Sequence, residues 1–499
     1  MFEIAESGRK VSKTEFKQLE PGVHTRLLEV QRLLRDSDKS VILVVSGVEG
    51  AGKGEVVNRL NKWLDARGVQ TVAFWDESDE DLERPAFWRF WRRLPPRGTV
   101  GILFGSWYTR PIIDHVFGRV DKADFDAQLQ RVARFERMLA DDGAVLVKFW
   151  FHLSKKSQRR RLKRDRKAKR QGITTDAIRR FTKHYDDFAR VSERAIRATD
   201  TVACPWYIIE SQDRRYRDLT VGTTLEAAIR QHVSGPETAT APTLTLHSNA
   251  MTPNTPGARI SILDQVDLSA SIDDDEYRTQ LAHYQEQLQG LAWNARQARR
   301  SVVAVFEGWD AAGKGGAIRR VTAALDARLF RVISVAAPTD EEKAQHYLWR
   351  FWRHVPRAGY FTLYDRSWYG RVLVERVEAF AEAHEWMRAY GEINDFEEQL
   401  SNHGTVVLKF WVHLDADEQL RRFEERGRTP WKQHKITDED WRNREKWTAY
   451  ESAVNEMVAH TSTEYAPWTL IAGNDKRHAR VQVVKTFCDR LKRALKKSR

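Results

Sequence analysis

At 499 residues the chain exceeds one ordinary domain of about 100–200 residues, and 41% hydrophobic against 31% charged residues lets it bury cores and excludes a disordered polymer. Its apolar runs, such as Val41–Val45 and Val302–Phe306, stop far short of the roughly 20 residues a membrane helix needs, and its two cysteines, Cys204 and Cys488, make neither a disulfide framework nor a zinc site. The net charge of +13, from 83 Lys+Arg against 70 Asp+Glu, points to a polyanionic partner. Nucleic acid, anionic membrane and phosphate polymers all qualify, and so does a merely basic enzyme. The opening MFEIAESGRK has no apolar signal-peptide core, so a cytoplasmic protein is expected.

In chain order, SKTEFKQLEPGVHTRLLEVQRLL reads as a leading helix, and SVILVVSGVEGAGKGEVV, from Ser40, as a strand, a Gly-rich turn and a second helix. FWRFWRR (Phe87–Arg93), SWYTR (Ser106–Arg110), KFWFHL (Lys148–Leu153) and CPWYII (Cys204–Ile209) follow. Each recurs downstream: SVVAVFEGWDAAGKGGAI from Ser301, LWRFWRH (Leu348–His354), SWYGR (Ser367–Arg371), KFWVHL (Lys409–Leu414) and APWTLI (Ala466–Ile471). Lys53 and Lys314 set a register that needs no gap from Ser40 to about Ser154. The period is far too long for a solenoid, so the chain is a duplicated domain. Between the copies, Ser234–Ala258 is rich in Thr, Pro and Ala and reads as a linker. DDDEYRTQLAHYQEQLQGLAWNARQ then forms a long helix into the second copy. The expected division is 1–233, a linker at 234–258, and 259–499. Strands alternating with helices predict a three-layer α/β fold with a parallel sheet in each copy, strand order open.

VVAVFEGWDAAGKGG carries the strongest chemical signal. Gly308, Ala312, Gly313, Lys314 and Gly315 follow a strand and open a helix, the context of a phosphate-binding loop. Backbone N–H groups close on phosphate oxygens there, and Lys314 adds a point charge. Gly315 replaces the usual Ser or Thr, so a metal would need oxygens from elsewhere: Asp310 in the loop, and Asp365 where YFTLYDRSWYGR ends a strand. Arg366 and Arg371 follow and suit bidentate phosphate contacts. In LWRFWRHVP the aromatics read as core more often than as a base-stacking surface, with Arg350 and Arg353 on one face to line a polyanion groove. KKSQRRRLKRDRKAKR (Lys155–Arg170) is nearly all cationic; a polyanion contact is slightly favoured over a solvated face. Its counterpart, Arg421–Trp441, carries Arg426, Arg428, Trp431 and Lys432 around Pro430 and reads as a mobile lid or a plain surface connection. His152 and His413 sit in apolar strands without metal-ligand spacing and read as core.

Only one copy is armed. Glu49 stands opposite Asp310, Phe104 and Gly105 opposite Asp365 and Arg366, and Asp114 opposite Glu375. Phenylalanine cannot hold a cation, so catalysis is expected in the second copy. GWDAAGKGG, the RFWR helix, DRSWYGRVLVER and the PWK segment resemble the polyphosphate kinase 2 family, and the degenerate first half resembles its fused two-domain members. The resemblance implies thymidylate-kinase-like P-loop domains with mobile helical lids, phosphoryl transfer from inorganic polyphosphate to AMP giving ADP, Mg²⁺ or Mn²⁺ on Asp310 and Asp365 beside Arg366, and a lid at Arg426–Lys432. ADP or GDP as acceptor, ATP as donor, and a non-catalytic polyanion- or nucleic-acid-binding protein remain the competing readings. A homo-oligomer, guessed as a dimer, and no membrane partner complete the expectations.

Overall fold

Short runs of β-branched and aromatic residues, apolar at every position rather than every second one, need cover on both faces. In the computed structural model, which describes residues 1–74, 76–167, 182–234, 261–430 and 436–496, those runs become the central strands of two parallel sheets. The described chain falls into two compact units, Met1–Asp76 with Arg89–Ala250 and Asp340–His346, and Glu77–Trp88 with Met251–Thr339 and Tyr347–Arg499. The expected linker lies, from residue 235 on, outside the described residues.

The first unit holds strands β1 (Ser40–Gly47), β2 (Val69–Ala73), β3 (Val100–Phe104), β4 (Ala144–His152) and β5 (Trp206–Glu210) in the order β2-β3-β1-β4-β5. The second holds β6 (Val302–Gly308), β7 (Phe330–Ser334), β8 (Phe361–Asp365), β9 (Val406–His413) and β10 (Trp468–Ala472), ordered β7-β8-β6-β9-β10. Every pairing is parallel. The edge strands β2 and β7 are mostly exposed, whereas Val41–Val45 of β1 and Val302–Glu307 of β6 are buried. In each sheet the order reverses at the first strand, whose two neighbours come from opposite directions, and ligands of open α/β sheets sit at such a point beyond the strands' carboxyl ends.

The first-unit helices used below are α1 (Lys13–Arg35), α2 (Lys53–Trp63), α3 (Lys122–Asp141), α4 (Lys155–Lys167) and α5 (Arg214–Ser234). The second unit has α6 (Asp274–Gln297), α7 (Lys314–Thr322), α8 (Ala383–Asn402), α9 (Ala416–Arg428), α10 (Asp438–Glu445), α11 (Trp447–Thr461) and α12 (Lys476–Lys496). The two leading helices expected from sequence are α1 and α6. Ser12 caps α1 in a reciprocal pair with Glu15, and Asp273 caps α6.

Each sheet is also pinned by a buried polar knot. Lys148 on β4 donates to Glu136 of α3 at 2.6 Å, to Tyr108 at 3.2 Å and to the Thr199 carbonyl at 2.8 Å. Lys409 on β9 repeats this with Glu397 of α8, Tyr369 and Thr461, at 2.7, 2.8 and 2.6 Å. Trp107 and Trp368 each donate to the same carboxylate. Fully buried, these charges persist only because every partner is present.

Candidate active site

The loop from β6 to α7 is shaped by close approach. A side chain on Gly308, at φ 145°, would stand 2.4 Å from the Val412 carbonyl, so only glycine fits beside β9. Gly313 caps α7, and Lys314, its first residue, folds back to donate to the carbonyls of Gly308 (2.7 Å) and Trp309 (3.1 Å). From α9, the buried Arg422 donates to the carbonyls of Ala311 (3.0 Å), Ala312 (3.1 Å) and Gly473 (2.6 Å), tying the loop to the end of β10. The helix's free N–H groups therefore point from a fixed base, which suits an anion.

Asp310 is held from three directions. Arg366 donates to its Oδ1 at 3.2 Å, Asn443 of α10 to its Oδ2 at 2.9 Å, and Gln419 of α9 to its backbone oxygen at 3.1 Å. Asp365 ends β8 opposite Phe306 of β6, and its Oδ2 lies 3.7 Å from where a side chain on Gly315 would begin. Gly315 thus leaves room for that carboxylate at the start of α7. Arg366 sits at φ 64°, a left-handed conformation costing a non-glycine residue roughly 1 kcal/mol. Strain of this kind persists where the surroundings over-determine it: the Arg366 N–H bonds the Phe306 carbonyl at 3.1 Å and its guanidinium reaches Glu439 at 3.6 Å.

Behind these groups Glu307 is buried, accepting a 2.7 Å bond from Ser367, and burial pushes its carboxyl above the ordinary value. Trp309 stacks on Trp447 with ring centroids 3.7 Å apart and donates from Nε1 to His413 Nδ1 at 3.0 Å. Burial pushes His413 down to about 4, so it stays neutral and able to accept. Tyr450 donates to Asn443 at 3.1 Å, and burial raises its phenol. A cleft with about 610 Å³ of open space is lined by Glu307, Asp310, Lys314, Arg366, Glu439 and Asn443, among others.

Of the residues singled out from sequence, the structure gathers Gly308, Asp310, Lys314 and Arg366 on this cleft, with Ala312, Gly313, Gly315 and Asp365 in or beside the loop. Six others, Arg350, Arg353, Arg371, Glu375, Arg426 and Arg428, lie outside its lining. Arg371 pairs with Glu375 (3.1 Å) and Glu385 (3.4 Å) and lies over the Tyr347 ring. Burial raises the Glu375 carboxyl above its ordinary value. Arg350 donates to the Ala336 carbonyl at 3.0 Å, and Arg353 lies over Trp349. The aromatics between them, Trp349, Phe351 and Trp352, are buried. Arg426 and Arg428 occupy the last turn of α9, Arg428 beside Glu424 at 3.3 Å, and Trp431 and Lys432 lie outside the described residues. Sequence reasoning missed Glu307, Trp309, Glu439, Asn443, Trp447 and Tyr450. Contrast between the copies marks them: Ser46, Val48, Ala177, Phe181, Tyr185 and Phe188 stand opposite.

The first unit repeats the backbone with other chemistry. Lys53 donates to the carbonyls of Gly47 (3.0 Å) and Val48 (3.2 Å) and also reaches Glu49 at 3.4 Å. Phe104 pairs with Val45 as Asp365 does with Phe306. Gly105, at φ 81°, takes the strained place of Arg366. Glu55 stands in the first turn of α2 where α7 has Gly316, paired with Arg161 and Arg217 at 3.1 Å each. Burial alone would raise the Glu55 carboxyl, but the two arginines hold it below its ordinary value. An internal carboxylate therefore sits by the helix N-terminus that an anion would seek.

A parallel sheet with a phosphate-binding loop at its reversal point and acids on the neighbouring strand end defines the P-loop phosphotransferase class. Within it the chain belongs to the polyphosphate kinase 2 family, whose profile matches residues 10–235 and 271–499, one match per copy. It is 48% identical to the polyphosphate:AMP phosphotransferase of Pseudomonas aeruginosa, with all of each chain covered, and 45% identical to that of Pseudomonas syringae pv. tomato, over 99% of each. A crystal structure of a Pseudomonas aeruginosa polyphosphate kinase 2, 48% identical, superimposes over the full length of both chains with a TM-score of 0.88.

Proposed function

We propose that this chain transfers the terminal phosphoryl group of inorganic polyphosphate to AMP, giving ADP, and that the second copy, 259–499, performs the transfer. The observation that carries the reading is the gathering of Asp310, Lys314 and Arg366 on one cleft, with Asp365 beside the loop, where the first copy has Glu49, Phe104 and Gly105. AMP as acceptor rests on relatives named polyphosphate:AMP phosphotransferases, 38–48% identical over 93–100% of this chain.

An oxygen of the AMP phosphate, already anionic near neutral pH, attacks the terminal phosphorus of the polymer. One P–O bond forms as the phosphoanhydride bond breaks, and the shortened polyphosphate leaves with the electron pair, so no general base is required. The chain's part is positioning and charge stabilisation. Lys314 and the loop N–H groups hold phosphate oxygens, and Arg366 faces the charge that builds on the transferring group. Asp310 and Asp365 suit Mg²⁺ or Mn²⁺: among the described residues no cluster of three or more ligating side chains exists, but such ions bound with substrate phosphates need only one or two carboxylates. When bound, such an ion would supply positive charge that offsets the negative charge of the phosphates.

The deciding assay is ADP formation from AMP, long-chain polyphosphate and Mg²⁺ without ATP, in wild type, Lys314→Ala and Lys53→Ala. Loss confined to Lys314→Ala is the expected result. ATP formed from ADP, with AMP inert, would move the acceptor to a nucleoside diphosphate. No transfer to any nucleotide would overturn the reading.

A further inference from the structure

Helices α4 and α9 occupy the same place in the two copies and pack in the same way. Gln158 donates to the Glu49 carbonyl and Gln419 to that of Asp310, each at 3.1 Å. Leu162 and Phe423 are buried, and Arg161 and Arg422 both turn inward, onto the Ser211 carbonyl and onto the loop carbonyls. The other positions have diverged mainly toward positive charge, Asp165 opposite Arg426 being the exception. The sequence of α9 carries four bases and four acids, whereas α4 carries nine bases and one acid. Lys156, Lys163 and Arg164 stand where the second copy has Asp417, Glu424 and Glu425, and Arg159 stands opposite Leu420.

On α9, Arg421 and Arg428 are neutralised by Glu418 and Glu424. On α4, Lys156, Arg159, Arg160 and Lys163 are exposed and pair with no carboxylate among the described residues. Their spacing places them along one face, where like charges three and four residues apart repel and destabilise a helix. A surface that only had to stay soluble gains nothing from replacing acids by bases on a single face. A polyanion repays that repulsion. The face carries no aromatic ring, so it offers no platform for nucleobases. Its one leucine is buried inward, so it has no apolar side to enter a lipid surface. What remains is a featureless chain of phosphates.

We propose that the exposed face of α4, built on Lys156, Arg159, Arg160 and Lys163, is a docking surface for inorganic polyphosphate. The copy that lacks the transfer chemistry has become a grip on the polymer. This rests on polyphosphate being the donor.

The test uses the full chain. In K156D/K163E the second copy's own residues are placed on α4, and R159Q/R160Q removes charge without reversal. Equilibrium binding of long-chain polyphosphate, without nucleotide, is measured at two salt concentrations, alongside AMP phosphorylation from long and from short polyphosphate. Both variants should bind the long polymer roughly tenfold more weakly, with a shallower dependence on salt, because fewer counterions are released. KM for the long donor should rise in step, while kcat and the KM for the short donor stay put. Wild-type affinity and salt slope in both variants would overturn the proposal. So would a loss of single-stranded RNA binding with polyphosphate binding intact, which would assign the face to nucleic acid. If no polyphosphate of any length phosphorylates AMP, the functional reading fails on its own, and the binding measurement still judges the helix.

Discussion

The two halves form an internal control. Both keep the sheet order, the loop backbone with its lysine turned onto two carbonyls, and the buried lysine–glutamate–tyrosine–tryptophan knot. The knot is present in both copies, whether Asp365 and Arg366 or Phe104 and Gly105 stand at the neighbouring strand end, so it goes with the shared fold. The differences concentrate elsewhere: at the end of β8, in the loop between Glu307 and Asp310, and along α10 and α11. There the second unit has acids, an arginine and a latch of side chains where the first has Ser46, Val48, Phe104 and Gly105. The copies differ in charged and polar groups at few positions, while the buried scaffold is common to both.

The sharpest way to break this comparison is to remove the acid and the lysine. Asp365→Asn and Lys314→Ala should each lower kcat by roughly a thousandfold in the AMP-to-ADP assay, as loss of a charge-stabilising group typically does. Lys53→Ala should stay within twofold of wild type. A large loss from Lys53→Ala would show that the first copy takes part in transfer. Next comes Arg366, whose strain the first copy avoids with Gly105. Arg366→Gly and Arg366→Ala should both lose roughly a hundredfold in kcat. They should separate in stability, the alanine variant falling about 1 kcal/mol below the glycine one because alanine keeps the left-handed penalty. Equal melting of the two variants would remove strain from the account.

The duplication, the strands and the loop were legible in sequence because their signals are local: continuous apolar runs, glycines at fixed spacing, a lysine at a helix start. The reversal of strand order was not legible, since it depends on which strands pair. The groups around Asp310 were missed because Asn443 is 133 residues away and an asparagine on a charged helix carries no local signal. Arg371 is expected to clamp phosphate because it follows Asp365 closely in sequence. The short turn after β8 instead pairs Arg371 with Glu375 and with Glu385, outside the cleft lining.

The latch gives a smaller, more specific prediction. Asn443 links Asp310 to α10 and is itself oriented by Tyr450, while Trp447 stacks on the loop's Trp309. Asn443→Ala frees one oxygen of Asp310 without removing the carboxylate. It should lower kcat roughly tenfold and raise the Mg²⁺ concentration needed for half-maximal rate. Asn443→Asp places a second carboxylate against Asp310 and should be worse than alanine. If alanine and wild type share the same Mg²⁺ dependence, Asn443 does not position Asp310.

The smallest effect contrasts the two strand-end histidines. His413 is held by burial at about 4, against an ordinary value of 6.5, with Asp415 and Asp264 pulling the other way. A folded-state value below the unfolded one means that the unfolded chain binds the extra proton first. The stabilisation is therefore complete above pH 6.5 and is lost as the pH falls toward 4. At pH 5.5 that amounts to about 1 kcal/mol. Protonation would also remove the acceptor for Trp309. His152 is likewise lowered by burial, but its Nε2 lies 2.8 Å from a Glu6 carboxylate, which pulls its value back up. Denaturant unfolding at pH 7 and pH 5.5 should show His413→Asn, which can still accept from Trp309 but cannot titrate, losing about 1 kcal/mol less than wild type on acidification. His152→Asn should show a smaller difference. Equal acid sensitivity of wild type and His413→Asn would mean that His413 is not the neutral partner beneath the Trp309–Trp447 stack.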